Sequence, residues 1–125
     1  MNILVTGGAG FIGSHTVVAL AEAGFNPVIL DDFSNSEPRV MEGLRHILGR
    51  DIKCYQRDCN DPYALMEVFE AEKIEGVIHF AAFKAVGESM TEPLKYYRNN
   101  IGSLITVMEV MMEKGISNLD RKSVV

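Results

Sequence analysis

The stretch TGGAGFIG at residues 6–13 follows an apolar run at residues 3–5 and precedes a helical pattern. Its glycines at positions 7, 10 and 13 recur at every third residue. Glycine has no Cβ, so the backbone can adopt a positive φ and approach a ligand closely. The first turn of a helix leaves N–H groups unpaired at the positive end of its dipole, which suits a pyrophosphate. The stretch therefore predicts a sharp turn from a strand into a helix that binds a dinucleotide.

Strand and helix patterns alternate along the rest of the 125-residue chain. Such alternation predicts a single α/β domain of the Rossmann type, in which a doubly wound parallel sheet carries helices on both faces. The predicted strands are Asn2–Val5, Val28–Leu30, Asp51–Gln56 and Gly76–Phe80. The predicted helices are Phe11–Ala23, a helix from the polar loop near Pro38 to about Leu48, Pro62–Glu72 with Asp61 as its cap, and Pro93–Lys114.

Apolar spacing in two of these helices predicts which face packs on the sheet. In the first helix, Ile12, Val17, Leu20 and Ala23 lie on roughly one face. In the last helix, apolar residues recur at helical spacing, and we expect its methionines, Met108 and Met111 among them, to fill the core.

The pattern changes near the carboxyl end of the chain. Residues 116–119 begin a fifth strand, but residues 120–123, Asp-Arg-Lys-Ser, place three charges where a buried parallel strand is apolar. We therefore expect the fifth strand to fail after Leu119 and the sheet to be incomplete at its carboxyl end. Residues 1–119 are predicted to be the dinucleotide-binding portion, and residues 120–125 an atypical or truncated tail.

The composition argues against several classes of protein. The net charge is −5 and the basic residues are scattered, so a nucleic-acid partner is not expected. No apolar run approaches the roughly 20 residues of a membrane span, and Met1 leads into the first strand without a secretion signal, so we expect no membrane partner and a cytoplasmic location. The two cysteines, Cys54 and Cys59, lack the companions of a zinc site, so we expect two reduced, buried thiols and no metal.

Acidic residues follow the second and third predicted strands. Asp31 lies about eighteen residues after Gly13, where a carboxylate would accept hydrogen bonds from the adenine ribose. It would repel a 2′-phosphate, so the residues favour NAD over NADP. Asp58 follows the third strand, where it either contacts the adenine or shapes the start of the next helix, and the sequence alone leaves both possibilities open.

Three further polar residues lie around the fourth strand and the last helix. His79, inside an apolar strand, is predicted to be a core histidine whose hydrogen bonds are satisfied. Lys84 follows that strand in a loop of small residues, where it either approaches the cofactor or is a solvated surface lysine. Asn99 lies in the last helix, and its position does not decide between a capping role and a place in the site.

These residues, together with HFAAFKAVGES at residues 79–89 and PLKYYRNN at residues 93–100, resemble the extended short-chain dehydrogenase/reductases. Within them the chain is similar to the UDP-glucose 4-epimerases of galactose metabolism, over residues 1 to about 119. The block at residues 79–89 is the most specific part, since dehydratases and decarboxylases of the same superfamily differ there. The resemblance implies a tightly bound NAD that takes a hydride from C4 of a UDP-sugar and returns it to the other face.

The resemblance also implies a role for each matching residue. The pyrophosphate would be bound by Gly7, Gly10, Phe11, Ile12 and Gly13. Asp31 and Asn35 would meet the adenine ribose and its surroundings, Asp58 and Cys59 the adenine, Phe80, Ala81 and Lys84 the ribose–nicotinamide side, and Asn99 the cofactor in general. In the family, helices including the one at about residues 94–114 form a dimer contact, so a homodimer through this helix is possible for the chain.

The catalytic residues of the family are absent from these 125 residues. Family members use a tyrosine base, a serine or threonine, and the lysine of a Tyr-x-x-x-Lys motif, and they run well beyond twice this length. None of the four tyrosines here has a lysine four residues later. We therefore expect a truncated epimerase that is inactive by itself. The alternatives are a different sugar-nucleotide dehydratase or epimerase, which residues 84–89 argue against, and a small NAD-binding module without catalysis.

Overall fold

A computed structural model describes residues 1–33, 37–80, 93–116 and 119–121, with backbone alone for residues 93–103 and 120–121. Strands and helices alternate, as the sequence predicts. The strands are β1 (Asn2–Thr6), β2 (Asn26–Leu30), β3 (Lys53–Tyr55), β4 (Gly76–His79) and β5 (Leu119–Arg121). The helices are α1 (Phe11–Glu22), α2 (Val40–Leu48), α3 (Pro62–Glu72) and α4 (Pro93–Lys114).

The strands form one parallel sheet in the order β3-β2-β1-β4-β5. β1 lies between β2 and β4, and Thr6 pairs with Leu30 on one side and with His79 on the other. The chain moves outward from β1 in one direction and then in the other, which is the strand order of the doubly wound Rossmann type. The predicted fold class is confirmed. Parallel strands share a direction, so their carboxyl ends meet at one edge, where this fold binds ligands.

Apolar side chains cover both faces of the sheet. On one face, Leu4, Leu30 and Val77 pack with buried residues of α3 and α4. On the other face, Val5 and Ile29 pack with α1 and α2. The central strands are almost fully buried, because a parallel sheet has helices on both sides.

The apolar faces of two helices differ in part from the sequence prediction. In α1, Val17 is buried and Leu20 half-buried, but Ile12 is 42% exposed and Ala23 is exposed as well. Ile12 and Ala23 lie at the two ends of the helix. The predicted apolar face is therefore right at Val17 and Leu20 and wrong at Ile12 and Ala23.

In α4 the buried stripe is Val107, Val110 and Met111, at the spacing i, i+3, i+4. Met111 therefore confirms the predicted core role, whereas Met108 at 44% exposure contradicts it. Met108 lies one residue beyond Val107, which turns its side chain about 100° away from the buried stripe.

The start of α3 agrees with its predicted cap. Asp61 Oδ1 accepts hydrogen bonds from the backbone N–H groups of Tyr63, at 3.0 Å, and Ala64, at 3.4 Å, and Pro62 occupies the first turn. Such a cap satisfies donors that have no partner inside the helix. α3 ends at Lys73, whose φ of 52° is left-handed.

The fifth strand extends further than the charge pattern predicts. Asp120 pairs with Ile78 and Arg121 with His79, so the strand covers Leu119–Arg121 instead of failing after Leu119. β5 is the outermost described strand on its side of the sheet, and charged residues are tolerated at a sheet edge. Backbone pairing to β4 therefore outweighs the charge pattern at these two residues.

Two further observations concern the described ranges as a whole. None of their helices combines the length and apolarity that crossing a membrane requires. Within the same residues, no three His, Cys, Asp or Glu side chains come together in a group that could hold a metal ion.

Candidate functional site

The glycine turn leaves the carboxyl end of β1 and doubles back into α1. Gly7 has a φ of 70°, in the left-handed region that favours glycine, and its N–H donates to the Leu30 carbonyl at 2.8 Å. The Gly10 N–H donates to the Gly7 carbonyl at 3.1 Å and closes the turn. The turn is thereby attached to the end of β2 as well as to β1.

Two glycines are required by close packing rather than by φ. A Cβ on Gly13 would lie 2.1 Å from the Gly7 carbonyl oxygen and 2.9 Å from the Gly8 Cα. A Cβ on Gly8 would lie 2.8 Å from Cγ1 of Ile29 and 3.1 Å from the Val5 carbonyl oxygen. α1 therefore approaches the turn so closely that a side chain at position 13 would push the helix away.

The amino end of α1 has the properties of an anion site. Gly10 precedes the helix in an extended conformation, no side chain caps it, and no acidic side chain lies in the first turn. The Gly7 and Gly10 amides are already used inside the turn. The amides of the first helical turn, at Phe11, Ile12 and Gly13, are those whose partners must come from outside an α-helix. These are also the residues assigned to the pyrophosphate from the sequence.

Asp31 connects the end of β2 to the glycine turn. Its carboxylate is 8% exposed, and it accepts hydrogen bonds from the Ala9 N–H at 3.1 Å and from the Phe33 N–H at 2.8 Å. These two bonds fix the carboxylate beside the turn. The turn and Asp31 come from residues far apart in sequence, and the fold brings them together as the sequence predicted.

Cys54 of β3 lies close enough to Asp31 to sense its charge. Burial, together with the negative charge of Asp31, raises the pKa of the Cys54 thiol to about 11. The thiol is therefore protonated at neutral pH and is a poor nucleophile. Both cysteines are free thiols, as predicted, and Cys59 is buried in the core beneath α3. Cys54 is only half-buried, so the prediction of burial was wrong for this residue, which lies in the short outermost strand β3.

The third side of the site is the end of β4. Thr6 and His79 are fully buried, and Thr6 Oγ1 lies 2.6 Å from His79 Nδ1. The next residue, Phe80, donates its N–H to the Thr6 carbonyl at 2.9 Å. The prediction of a satisfied core histidine is confirmed, and Phe80 lies at the same sheet edge as the glycine turn.

Asp58 follows β3 and shapes the approach to α3. Its Oδ1 accepts hydrogen bonds from the backbone N–H of Asn60 at 2.9 Å and from the side-chain amide of Asn60 at 3.1 Å, and its carbonyl accepts from the Asp61 N–H. The structural alternative considered for Asp58 is therefore present. Contact with an adenine remains a prediction for Asp58 and for its buried neighbour Cys59.

Several predicted site residues lie outside the described residues. These are Asn35, Ala81 and Lys84, together with the side chain of Asn99, whose backbone belongs to α4. Two residues that do line the turn were missed from the sequence. Gly8 packs against the Ile29 side chain, although less tightly than Gly13 packs against the turn, and the Gly-Gly doublet was its only signal. The Ala9 amide, which holds Asp31, has no side-chain signal at all.

The sequence matches a protein-family model and the amino-terminal part of longer enzymes. Residues 4–123 match the model of a protein family described as GDP-mannose 4,6 dehydratase. UDP-glucose 4-epimerase from Neisseria gonorrhoeae is 49% identical over 116 residues, which are 93% of this chain and 34% of that protein. The corresponding enzyme from Bacillus subtilis is 46% identical over 119 residues, 95% of this chain and 35% of that protein.

Solved structures of related enzymes superpose on nearly the whole of this chain. The crystal structure of UDP-glucose 4-epimerase from Bifidobacterium longum in complex with NAD+ and UDP superposes with a TM-score of 0.94 at 38% identity, over 98% of this chain and 37% of that one. The enzyme from Stenotrophomonas maltophila, with bound NAD and a formylated UDP-arabinopyranose, gives a TM-score of 0.94 at 40% identity, with the same coverage of both chains.

The chain spans about a third of the length of the curated relatives that it matches. Over that third, the sequence identity with the curated relatives and the superposition on the solved structures agree. A family model that covers residues 4–123 accounts for nearly the whole chain, and the chain therefore belongs to the family described as GDP-mannose 4,6 dehydratase.

Proposed function

We propose that this chain binds NAD at the carboxyl edge of its sheet. The pyrophosphate would lie against the amino end of α1, and the adenine ribose would lie beside Asp31. The observation that carries the proposal is the close packing at Gly13, where a Cβ would come within 2.1 Å of the Gly7 carbonyl oxygen. Because no side chain separates α1 from the turn, the backbone amides at the start of the helix lie where a pyrophosphate can approach them. Similar epimerases from Bifidobacterium longum and Stenotrophomonas maltophila have been crystallised with NAD.

The remaining cofactor contacts are part of the same proposal. We assign Phe80, Ala81 and Lys84 to the ribose–nicotinamide side, Asn35 to the surroundings of the adenine ribose, and Asn99 to the cofactor. Asp58 and Cys59 are assigned to the adenine. Phe80 supports the first group, because its backbone is bonded to Thr6 immediately before the glycine turn.

Calorimetric titration of the 125-residue chain with NAD and with NADP tests this proposal. We expect saturable NAD binding and affinity for NADP at least tenfold weaker, because the Asp31 carboxylate repels a 2′-phosphate. Asp31→Asn, which removes the charge and keeps the size, should narrow that difference. Asp51→Asn, an exposed carboxylate paired with Arg45, is the matched control and should leave it unchanged. No binding of NAD at millimolar concentration would overturn the proposal.

We further propose that the protein to which these residues belong is a UDP-glucose 4-epimerase. The support is that nearly half of the aligned residues are identical to those of UDP-glucose 4-epimerases from two bacteria and one amoeba. When bound, NAD would supply a hydride acceptor and donor for C4 of the UDP-sugar. The residues of this chain would hold and orient that cofactor, and the Tyr-x-x-x-Lys motif that the family uses for proton transfer is not among them.

Turnover assays test the larger proposal. A longer protein that contains this segment should interconvert UDP-galactose and UDP-glucose, whereas the 125 residues alone should bind NAD and turn over neither sugar. The family description favours a second candidate, a sugar-nucleotide dehydratase. Release of water from GDP-mannose, without epimerisation of UDP-galactose, would favour that candidate. Binding of NAD with no turnover by the longer protein would favour a non-catalytic module.

We also propose a homodimer through α4. On α4, Ile105, Met108 and Met112 are 50%, 44% and 79% exposed and follow one another at the spacing i, i+3, i+7. Such a stripe lies along one side of a helix and resembles the seam between packed helices.

We propose a cytoplasmic location for the protein. Cell fractionation of the tagged protein tests this location, and a membrane-bound or secreted pool would contradict it.

A further inference from the structure

The hydrogen bond between Thr6 and His79 joins the two strands on which the proposed NAD site depends. Thr6 is the last residue of β1, and His79 is the last residue of β4. The two are register partners in the sheet, both are fully buried, and Oγ1 and Nδ1 are 2.6 Å apart. One of these atoms donates and the other accepts, according to the tautomer of the ring.

Thr6 is fixed on three sides just before the chain enters the turn. Its side chain bonds to His79, its carbonyl accepts the Phe80 N–H at 2.9 Å, and the next residue, Gly7, donates to the Leu30 carbonyl at 2.8 Å. β1 lies between β2 and β4, so these bonds tie the start of the turn to both neighbours. Of these three bonds, the one to His79 involves the side chain of Thr6, so a substitution at position 6 can remove it.

We propose that Thr6 and His79 form a positioning pair for the dinucleotide, an inference that rests on the proposed binding of NAD. The bond fixes the ends of β1 and β4 relative to each other. It thereby fixes the glycine turn, which follows Thr6, relative to Phe80, which follows His79. A ligand that contacts both the turn and the end of β4 binds more tightly when the two are already held in place, because less ordering is required on binding. The pair acts through the backbone and does not touch the ligand.

Two substitutions at position 6 separate the hydroxyl from the packing. Thr6→Val keeps the branched shape and removes the hydroxyl, whereas Thr6→Ser keeps the hydroxyl and removes the methyl group. We expect the Kd for NAD to rise about fivefold to tenfold in Thr6→Val and to stay within about twofold of the wild-type value in Thr6→Ser. Val68→Ala, a truncation of a fully buried side chain in α3, is the control for lost stability alone, and its Kd should not change.

The outcomes distinguish this inference from the proposal beneath it. If the wild-type chain does not bind NAD, the proposed function fails. If it binds NAD, and Thr6→Val binds equally well, the positioning role is wrong. A Kd that follows the midpoint of thermal unfolding across Thr6→Val, Thr6→Ser and Val68→Ala would also contradict it, because the pair would then be only a structural contact.

A measurement on the wild-type chain keeps the test decisive if Thr6→Val does not fold. Nitrogen NMR of the histidine rings, with and without NAD, reports the state of the His79 ring. We expect its ring-nitrogen shifts to show a hydrogen-bonded Nδ1 already in the free chain and to stay the same when NAD binds, because the pair is in place before the ligand arrives. The exposed ring of His46 in α2 is the reference for an imidazole in contact with water. A His79 ring that resembles that of His46 in the free chain, or that becomes hydrogen-bonded only when NAD binds, would overturn the inference.

Discussion

At the scale of single residues, the candidate site depends on glycines that lack a Cβ as much as on the polar groups around them. Gly13 and Gly8 leave room for α1 and for Ile29, while Gly7 supplies the left-handed turn. Asp31 is fixed by two backbone amides, one of them in the turn itself. The chemistry of this edge therefore lies in backbone amides and one carboxylate, a combination suited to holding a phosphate and a ribose.

Replacing Gly13 by Ala should disable the site. The new Cβ would meet the Gly7 carbonyl oxygen at 2.1 Å, and backbone cannot move away as a flexible side chain can. We expect a loss of about 1–3 kcal/mol in the free energy of unfolding and at least tenfold weaker NAD binding. Gly43→Ala in α2, where nothing lies within 4 Å, is the control and should gain about 0.5–1 kcal/mol. Urea unfolding and NAD titration measure both, and equal behaviour of the two variants would contradict the geometry.

The Cys54 thiol should react slowly until the pH is high. Its pKa is raised to about 11 from an ordinary value of 9.0 by burial and by the charge of Asp31. The rate of alkylation by iodoacetamide should therefore reach half its maximum near pH 9 in urea and only near pH 11 in the folded chain. Trypsin separates Cys54 from Cys59, because Arg57 lies between them, so mass spectrometry can follow each thiol.

The same pKa shift affects stability at alkaline pH. The folded state favours the neutral thiol, so its contribution is fully present below pH 9 and is lost as the pH rises toward 11. Because the thiol is only partly buried, we expect about 1 kcal/mol or less. Cys54→Ala should flatten this part of the stability profile, and an unchanged profile would argue against the shift.

At the scale of elements, each helix is fixed by one apolar stripe and by its ends. α3 begins at the Asp61 cap that its sequence predicts. At its carboxyl end, Glu72 accepts a hydrogen bond from the hydroxyl of Tyr55 in β3 at 2.5 Å. This bond raises the pKa of the Tyr55 hydroxyl. α4 is tied to α3 by the hydrogen bond from Lys114 to Glu70. Helix bounds follow local chemistry, whereas the buried stripe of α4 depends on what lies beneath it.

Adjacent methionines in α4 should differ sharply in their contribution to stability. Met111 is 4% exposed and packs in the core with Val107 and Val110, while Met112 is 79% exposed. Met111→Ala should lower the free energy of unfolding by about 2–5 kcal/mol, because it leaves a cavity in the core. Met112→Ala should change it by less than about 0.5 kcal/mol. Chemical unfolding of the two variants under one condition decides the matter, and similar losses would mean that the buried stripe is misassigned.

At the scale of the whole molecule, a five-stranded parallel sheet carries helices on both faces and gathers its functional residues at one edge. The exposed apolar stripe of α4 belongs to a different element from the glycine turn. We therefore expect the proposed cofactor binding and the proposed association with a second copy to respond to different substitutions.

The proposed dimer should depend on the stripe of α4. Introducing charge with Ile105→Lys and Met108→Lys together should convert a dimer to a monomer at micromolar concentration, because two buried cations would have to lose their water. Glu113→Gln, an exposed change of one charge on the same helix, should leave the association unchanged. Sedimentation velocity provides the measurement, and a wild-type chain that is monomeric throughout would contradict the dimer.

The sequence by itself determined the strand–turn–helix at residues 6–13, the place of Asp31 and the cap at Asp61, because these depend on spacing and on neighbours close in the chain. Only the tertiary structure decided that Gly8 is constrained by packing, since the atoms that a Cβ there would meet include those of Ile29 in another strand. It likewise decided that Met108 is exposed, that Asp120 pairs in β5, and that Thr6 meets His79. Each of these depends on residues that become neighbours only when parallel strands align, and no local spacing contains that information.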